Sequence, residues 1–366
     1  MPMNRRDLLG VSALLLAGPA LSLRAAAKPS AAGNTPAILC WNENPYGPSP
    51  AARRAIAGAI GQACRYPSDE EQQDLVSALA LHEGAAAEQI VTGSGSGELL
   101  CALALLYGRD GGEFIAAEPT YLELPEYART LGATVRFVAV DARLRHDLPA
   151  MRAAVSARTR AVYLCNPNNP TGTAVAAEDI RAFVAGLPRE VVTIVDEAYM
   201  DFATAAEVHS VVDLVKGERP VVVLRTFSKL HGMAGMRMGY AITNPKIAKA
   251  LRLARMTTPN QLTVRAARAS LDDRAFLTDT RRRILASRTR ITGELTKLRL
   301  RYAEPQTNFV FFDTGMPLAS FTQQMKQRDI LVGRLFPPFA TWCRITIGTE
   351  PEVSSFLDAL RATVHA

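Results

Sequence analysis

The sequence predicts an α/β fold, in which a large domain with a mostly parallel central sheet flanked by helices is joined to a smaller α+β domain. Between Tyr66 and Met256, short apolar runs alternate with longer helical patterns. This alternation is typical of parallel strands joined by crossover helices. The runs are apolar at nearly every position, as expected for strands buried on both faces. From about Asn260 the pattern changes, which indicates the smaller domain.

The composition of the chain excludes several classes of protein. The 366 residues are 48% hydrophobic and 21% charged, which allows a large core and excludes a disordered or coiled-coil chain. The net charge of +7 is spread without a dense basic block, so we expect no nucleic-acid partner. The five cysteines are widely spaced and no Cys or His cluster has metal-ligand spacing, so we expect neither a disulfide framework nor a metal site.

The N-terminus predicts a signal peptide of the twin-arginine type over residues 1–27. Arg5 and Arg6 precede an uncharged stretch, and three alanines end at Ala27. The stretch is short for a membrane span, which needs about 20 residues. We therefore expect export to the periplasm, without stable membrane insertion after cleavage. The alternatives are an uncleaved anchor and a mis-assigned start codon, and an error in the start codon or the signal assignment would make the protein cytoplasmic.

The remaining chain is predicted to contain a linker over 28–37, a small domain from 38–64 and 262–366, and a large domain over 65–261. Ser49 and Pro50 predict the start of a helix that runs to about Ile60. The strand candidates of the large domain are Gln89–Thr92, Glu113–Ala116, Thr134–Val138, Ala161–Leu164, Val191–Val195 and Val221–Leu224. The small domain is predicted to contain one long basic helix from Arg265 to Leu300, followed by strands around Asn308–Phe312 and Cys343–Ile347.

Glycine-rich and polar segments follow several strand candidates, at the edge where such sheets bind ligands. After the first, the run from Thr92 to Glu98 contains glycines and serines at the start of a helix, which suits a phosphate; a plain glycine turn is the alternative. Asp196 ends an apolar run, where an unpaired carboxylate is costly; a buried structural aspartate is the alternative. Lys229 precedes an apolar, glycine-rich stretch that includes Arg237, and a lysine in such surroundings loses its proton easily and can form a Schiff base.

These segments occur in an order that resembles a known family. The matching motifs are Asn169-Pro170-Thr171-Gly172, Asp196-Glu197-Ala198-Tyr199, Ser228-Lys229 with Arg237, and Arg344-Ile345-Thr346-Ile347-Gly348. With them, the chain from about residue 38 to 362 resembles the fold-type I, pyridoxal-phosphate (PLP) dependent aminotransferases of class I/II. It is most similar to the histidinol-phosphate aminotransferase branch.

The resemblance implies PLP as the cofactor and assigns its contacts. Lys229 would bind PLP as a Schiff base and move the proton between substrate and cofactor. Asp196 would pair with the pyridinium nitrogen, Asn169 and Tyr199 would bind the ring 3′-oxygen, and Tyr121 would stack on the ring. The phosphate would be held by Ser94, Gly95, Ser96, Thr226, Ser228 and Arg237, and by Tyr66 of a neighbouring subunit, which implies a homodimer.

The substrate contacts implied are Arg344 and Asn308 for the α-carboxylate and Tyr46 at the side-chain pocket. The histidinol-phosphate branch usually has an arginine directly after an Ile/Val-Val strand, whereas here Arg334 comes one position late and an aromatic, proline-containing segment with Phe336 follows. A phosphate-binding role for Arg334 is therefore open, with an apolar or aromatic substrate side chain as the alternative.

The reaction predicted is ping-pong transfer of an amino group between an L-amino acid, or a related amine such as histidinol phosphate, and a 2-oxo acid. The alternatives are a PLP-dependent decarboxylase, lyase or cyclase of secondary metabolism, and a PLP-binding protein without enzymatic activity.

Overall fold

The computed structural model describes residues 36–364. The predicted signal peptide and residues 28–35 of the predicted linker lie outside the described residues. Within 36–364, no helix is both long enough and apolar enough to cross a membrane.

Eleven strands are present in the part of the chain that the structure describes. They are β1 (Ala37–Ile38), β2 (Ile90–Gly93), β3 (Glu113–Glu118), β4 (Thr134–Ala139), β5 (Thr159–Cys165), β6 (Val192–Asp196), β7 (Val221–Thr226), β8 (Gly239–Thr243), β9 (Phe309–Asp313), β10 (Ile330–Leu331) and β11 (Trp342–Thr346). The α-helices are α1 (Pro50–Ala59), α2 (Asp69–Glu83), α3 (Ser96–Gly108), α4 (Glu123–Thr130), α5 (Leu148–Ala153), α6 (Ala177–Ala185), α7 (Pro245–Ala254), α8 (Gln261–Asp272), α9 (Arg274–Lys297), α10 (Leu318–Lys326) and α11 (Glu350–Val364).

Seven of these strands form the central sheet, in the order β2-β8-β7-β6-β5-β3-β4. The five strands from β7 to β4 pair in parallel, and β8 is antiparallel to both of its neighbours. The sheet is therefore mostly parallel, and the predicted fold class is confirmed. All six strand candidates lie in this sheet, whereas β8 was not predicted.

The apolar runs of the sheet are buried on both faces. Along β7, Val221 and Val223 pack with helices such as α2 and α6 on one face. Val222 and Leu224 pack with α3, α4 and α7 on the other. Successive side chains of a strand point to opposite faces, so an unbroken apolar run is the pattern that two helical layers require.

A second hydrophobic core lies around the antiparallel pair β9 and β11. It is formed by apolar side chains of β9 and β11 together with those of α9, α10 and α11. Beside it, β1 pairs in parallel with β10. The described residues do not test where one domain ends and the other begins, so the boundaries at 64/65 and 261/262 stay predictions.

The prediction of one long helix from Arg265 to Leu300 was wrong. The chain forms α8 and α9 instead, separated at Asp273, whose φ of −83° and ψ of 56° are not helical. Aspartate competes with the helix backbone for hydrogen bonds, and the Asp273 carboxylate accepts from the N–H of Ala51. The break allows α8 to pack with α2 and α6 on one face of the central sheet and α9 to pack in the core around β9 and β11. The helix predicted at Pro50 is present, with Ser49 as its N-cap.

Candidate active site

A cavity of about 660 Å³ lies beyond the carboxyl ends of β5, β6 and β7. Eleven of the residues predicted from the sequence line it, namely Ser96, Tyr121, Asn169, Asp196, Tyr199, Thr226, Ser228, Lys229, Arg237, Arg334 and Arg344. Further lining residues that were not predicted include Trp41, Asn42, Cys101, Thr120, Glu123 and Tyr127. Residues more than 300 positions apart in the sequence therefore meet at one edge of the sheet.

Lys229 projects into this cavity from the segment after β7. Its Nζ donates to the carbonyl of Asn42 (3.0 Å) and lies 5.3 Å from the centre of the Tyr199 ring. Burial, together with the nearby Arg344 guanidinium, lowers the pKa of Lys229 to about 8. Both effects disfavour the charged ammonium. About a tenth of the amine is thus neutral at pH 7, far more than for an ordinary lysine, and this neutral form can attack a carbonyl carbon.

Asp196 ends β6 and is almost fully buried. Its carboxylate accepts from the N–H of Ala198 and from the hydroxyl of Tyr163, each at 3.1 Å. Burial raises the pKa of Asp196 to about 6 despite these donors. No residue within 36–364 forms an ion pair with Asp196 by side-chain contact within 4 Å. Such a carboxylate is suited to pair with a cationic group of a ligand.

Four polar side chains of the cavity form two hydrogen-bonded pairs. The Tyr199 hydroxyl accepts from the amide of Asn42 at 3.0 Å, and the Asn169 side-chain oxygen accepts from an Nη of Arg344. Burial raises the pKa of Tyr199, so its hydroxyl keeps its proton and can donate to a ligand oxygen. Asn42 is the one of these four that was not predicted.

One corner of the cavity presents the groups that hold phosphates. The N-terminus of α3 points there with Ser96, and Thr226, Ser228 and Arg237 face the same space. Gly95 has a φ of +87°, and a Cβ at this position would overlap the Arg237 guanidinium. The positive φ favours glycine at this position, and any side chain there would displace the guanidinium. A helix N-terminus, hydroxyls and a guanidinium together suit a dianionic phosphate.

Arg344 lies on β11 and is buried. One Nη donates to the carbonyl of Cys40 at 2.9 Å, while its Nε is buried with no partner among residues 36–364. A buried unsatisfied donor is costly, and a ligand carboxylate would satisfy it. The Phe336 ring centre lies 4.8 Å from the Arg344 guanidinium carbon and 4.9 Å from that of Arg334. Phe336 thus lies against both guanidinium groups. Both Phe336 and Arg334 line the cavity, but Phe336 is buried and Arg334 is exposed.

Five predicted residues are not part of the cavity lining. Ser94 and Gly95 lie in the loop behind the phosphate-type corner, and Asn308 holds the backbone of the segment near Asn42 through its amide. Tyr46 is partly buried near Arg283, and the ring of Tyr66 is 94% exposed. The binding roles of these five residues stay predictions.

Among the residues that were not predicted, Tyr163 and Asn42 contact predicted site residues. Tyr163 lies within the apolar run of β5, where an aromatic residue is typical of the core, and only its hydroxyl contact with Asp196 identifies it. Asn42 lies 157 positions from its partner Tyr199. Its position in a polar, proline-containing loop is the only local signal that the sequence offers.

The fold and the cavity together define an α/β enzyme of fold type I, the architecture of PLP-dependent transferases. In the candidate active site, a partly buried lysine, a buried carboxylate and a phosphate-type corner meet at the carboxyl edge of the sheet. The family Aminotransferase class I and II matches residues 36–360, and the chain belongs to this family. It is an aminotransferase.

The similar proteins include histidinol-phosphate aminotransferases and aromatic amino acid aminotransferases. A histidinol-phosphate aminotransferase of Moorella thermoacetica is 37% identical over 328 residues, covering 88% of this chain and 84% of that protein. An aromatic amino acid aminotransferase of Rhodococcus jostii is 37% identical over 320 residues, covering 87% of this chain and 88% of that protein. The solved histidinol-phosphate aminotransferase of Sinorhizobium meliloti, in complex with pyridoxal-5′-phosphate, has a TM-score of 0.83 at 28% identity and covers 94% of this chain and 99% of that one.

Proposed function

We propose that this aminotransferase binds PLP through Lys229 and moves an amino group between an L-amino acid with an aromatic or bulky apolar side chain and a 2-oxo acid. The observation that carries the proposal is that Lys229, Asp196 and Arg344 line one cavity. The Lys229 amine loses its proton readily, the Asp196 carboxylate has no ion-pair partner among residues 36–364, and the Arg344 Nε has no acceptor there. PLP would offer Lys229 an aldehyde and Asp196 a cation, and an amino acid would offer Arg344 a carboxylate. The solved relative that contains PLP supports the choice of cofactor.

When bound, PLP supplies an electron-accepting ring that stabilises negative charge at the carbon bearing the amino group. Asp196 would hold a proton on the pyridine nitrogen, and Tyr163 would orient the carboxylate. Lys229, once released from the cofactor, would take the proton from the substrate α-carbon, which its lowered pKa allows near neutral pH. Tyr199 and Asn169 would bind the ring hydroxyl oxygen.

In this proposal, Arg344 binds the substrate carboxylate. Its unpartnered Nε and its Nη groups form a fork that matches a carboxylate. Holding the carboxylate in place favours a reaction that keeps this group, which supports transamination over decarboxylation.

The aromatic surroundings of the outer cavity support the proposed side-chain preference. Phe336 lies in the lining, and Trp41 and Tyr121 border the same space. Aromatic rings pack well against one another and against guanidinium groups. Arg334 is exposed beside Phe336, where in this proposal it would meet the distal carboxylate of a 2-oxo diacid that accepts the amino group.

An absorbance titration of the PLP-loaded protein tests the proposal. L-phenylalanine, L-tyrosine, L-aspartate and histidinol phosphate are added separately, and conversion of the lysine-bound cofactor to its amine form is followed. We expect conversion by the two aromatic amino acids, reversal by a 2-oxo acid, and none with Lys229→Ala. A clear preference for histidinol phosphate contradicts the substrate proposal. Release of carbon dioxide or ammonia instead of conversion supports a decarboxylase or lyase.

A matched variant tests the carboxylate contact. Arg344→Met removes the guanidinium while keeping an apolar side chain against Phe336. We expect kcat/KM for L-tyrosine to fall about 100-fold or more, because a charge-assisted bidentate contact is lost. Tyramine lacks the carboxylate, and conversion of the cofactor by this amine is expected to change little.

We also propose that the protein is exported to the periplasm. The support is the twin-arginine pattern at Arg5 and Arg6 followed by the apolar stretch. Cell fractionation of the full chain and of an Arg5→Lys, Arg6→Lys variant tests this. We expect the first in the periplasm and the second retained in the cytoplasm, whereas equal distribution of the two contradicts export by this route.

A further inference from the structure

The carboxylate of Glu98 joins two segments that are far apart in the sequence. One oxygen accepts from the N–H of Ser94 at 2.6 Å. The other accepts from the N–H groups of Met256 and Thr257, each at 2.9 Å. Glu98 lies in the first turn of α3, and three backbone donors therefore meet one side chain at the start of this helix.

The segment that Glu98 contacts also holds the end of β2, which leads into the loop before α3. The Arg255 guanidinium donates to the carbonyl of Thr92 at 2.8 Å. The chain that runs from β2 into α3 is thus held at the Thr92 carbonyl by Arg255 and at the Ser94 N–H by Glu98. Both contacts lead to residues 255–257, which lie in the connection from α7 to α8.

The position of this loop determines the shape of the phosphate-type corner. It brings Gly95 against the Arg237 guanidinium and places Ser96 at the start of α3. Hydrogen bonds to an ionised acceptor are about twice as strong as neutral ones. A single carboxylate with three donors can therefore define where the loop lies.

We propose that Glu98 is a positioning residue for the phosphate group of the cofactor. It holds the segment from Thr92 to Ser96, which joins β2 to α3, against residues 255–257, so that Ser96 and Arg237 reach the phosphate together. This inference rests on the proposed use of PLP. Glu98 itself does not line the cavity, and it acts on the phosphate only through the loop.

Glu98→Gln is the variant that tests this role. The amide has the same shape but only one acceptor oxygen, so either the Ser94 N–H or the pair from Met256 and Thr257 faces an NH₂ group. We expect the dissociation constant of PLP to rise about 10- to 100-fold, the range for a lost hydrogen bond to a charged group. Glu88→Gln, at an exposed glutamate before β2, is the matched control and is expected to match the unsubstituted protein.

Pyridoxal, which has no phosphate, separates positioning from a general structural effect. Equilibrium dialysis measures the binding of PLP and of pyridoxal to the unsubstituted protein, Glu98→Gln and Glu88→Gln. We expect Glu98→Gln to change pyridoxal binding less than about twofold while PLP binding weakens. Equal weakening of both ligands, or unchanged or tighter PLP binding, overturns the inference. Failure of the unsubstituted protein to bind PLP contradicts the proposed function instead.

A second variant approaches the same loop from its other contact. Arg255→Met removes the donor to the Thr92 carbonyl and leaves Glu98 in place. The same selective loss of PLP over pyridoxal is expected. If Arg255→Met binds PLP as tightly as the unsubstituted protein, the loop does not depend on this segment and the inference fails, even if Glu98→Gln does not fold.

Discussion

Asp196 is a buried carboxylate whose preferred protonation state depends on whether a cation lies beside it. In the cofactor-free protein, burial raises its pKa to about 6, above the usual value of 3.8. The folded protein then holds this proton more tightly than the unfolded chain does. Asp196 therefore contributes most to stability below about pH 4, and this contribution is lost as the pH rises through about 6. A pyridinium cation beside the carboxylate would reverse the preference.

Asp196→Asn is expected to stabilise the cofactor-free protein at pH 8. The amide carries no charge to desolvate, and it keeps an oxygen that can accept from the N–H of Ala198. The expected gain in the free energy of unfolding is about 1–3 kcal/mol, of the order that a shift of two pKa units implies. Urea unfolding from pH 4 to 8 measures it. The gain should vanish near pH 4, and a difference between the two proteins that does not change with pH contradicts the prediction.

The residues of the candidate site differ in how well the sequence alone predicts them. Lys229 and Asp196 were predictable because each follows an apolar strand, at the edge where ligands bind. Asn42 and Tyr163 were not, because their roles depend on contacts that only the folded chain creates: the carbonyl that accepts from Lys229, and the hydroxyl that donates to Asp196. Hydrogen bonds between distant side chains leave no spacing pattern in a single sequence.

Among the elements, the strand β8 was not predicted from the sequence, and its first residue lies in close contact with Ser96. It begins at Gly239, where a Cβ would overlap the backbone nitrogen of Ser96. The start of β8 therefore touches the loop that shapes the phosphate-type corner. Because its apolar run is short and follows a glycine-rich stretch, it has no clear strand signal. Its antiparallel direction could not be predicted either, because pairing depends on neighbours from elsewhere in the chain.

Gly239→Ala is expected to destabilise the protein and to weaken PLP binding together. The added methyl group meets backbone atoms that cannot rotate away, and overpacking of this kind costs about 1–3 kcal/mol. Gly235→Ala is the matched control, because a Cβ at Gly235 has nothing within 4 Å. Urea unfolding and equilibrium dialysis with PLP measure the two effects. Unchanged PLP binding in Gly239→Ala would show that β8 does not set the position of the loop.

The break between α8 and α9 illustrates the same limit for helices. A basic helical pattern continues across Asp273, so the sequence predicts one helix, yet the two halves pack in different hydrophobic cores. Local propensity weakly disfavours an aspartate inside a helix. The helix ends at this residue because its two halves pack against different parts of the molecule. The periodicity of a sequence carries no information about packing between distant segments.

At the scale of the whole molecule, Tyr66 bears on whether one chain forms a complete site. Its side chain is 94% exposed and does not line the cavity of its own chain. An aromatic side chain exposed to this extent gains nothing from folding of its own chain and is suited to an interface. We propose that the protein is a homodimer in which Tyr66 completes the phosphate site of the other subunit.

Subunit complementation tests this arrangement. Tyr66→Ala and Lys229→Ala are each expected to lower activity, the first by weakening PLP binding and the second by removing the reactive amine. In a hybrid dimer of the two variants, both substitutions fall in the same site and the other site is intact. Unfolding and refolding an equal mixture makes half of the dimers hybrids, so we expect about a quarter of the activity of the unsubstituted dimer. If Tyr66 instead serves the site of its own chain, each hybrid site carries one substitution, and the mixture recovers no more activity than the separately refolded variants.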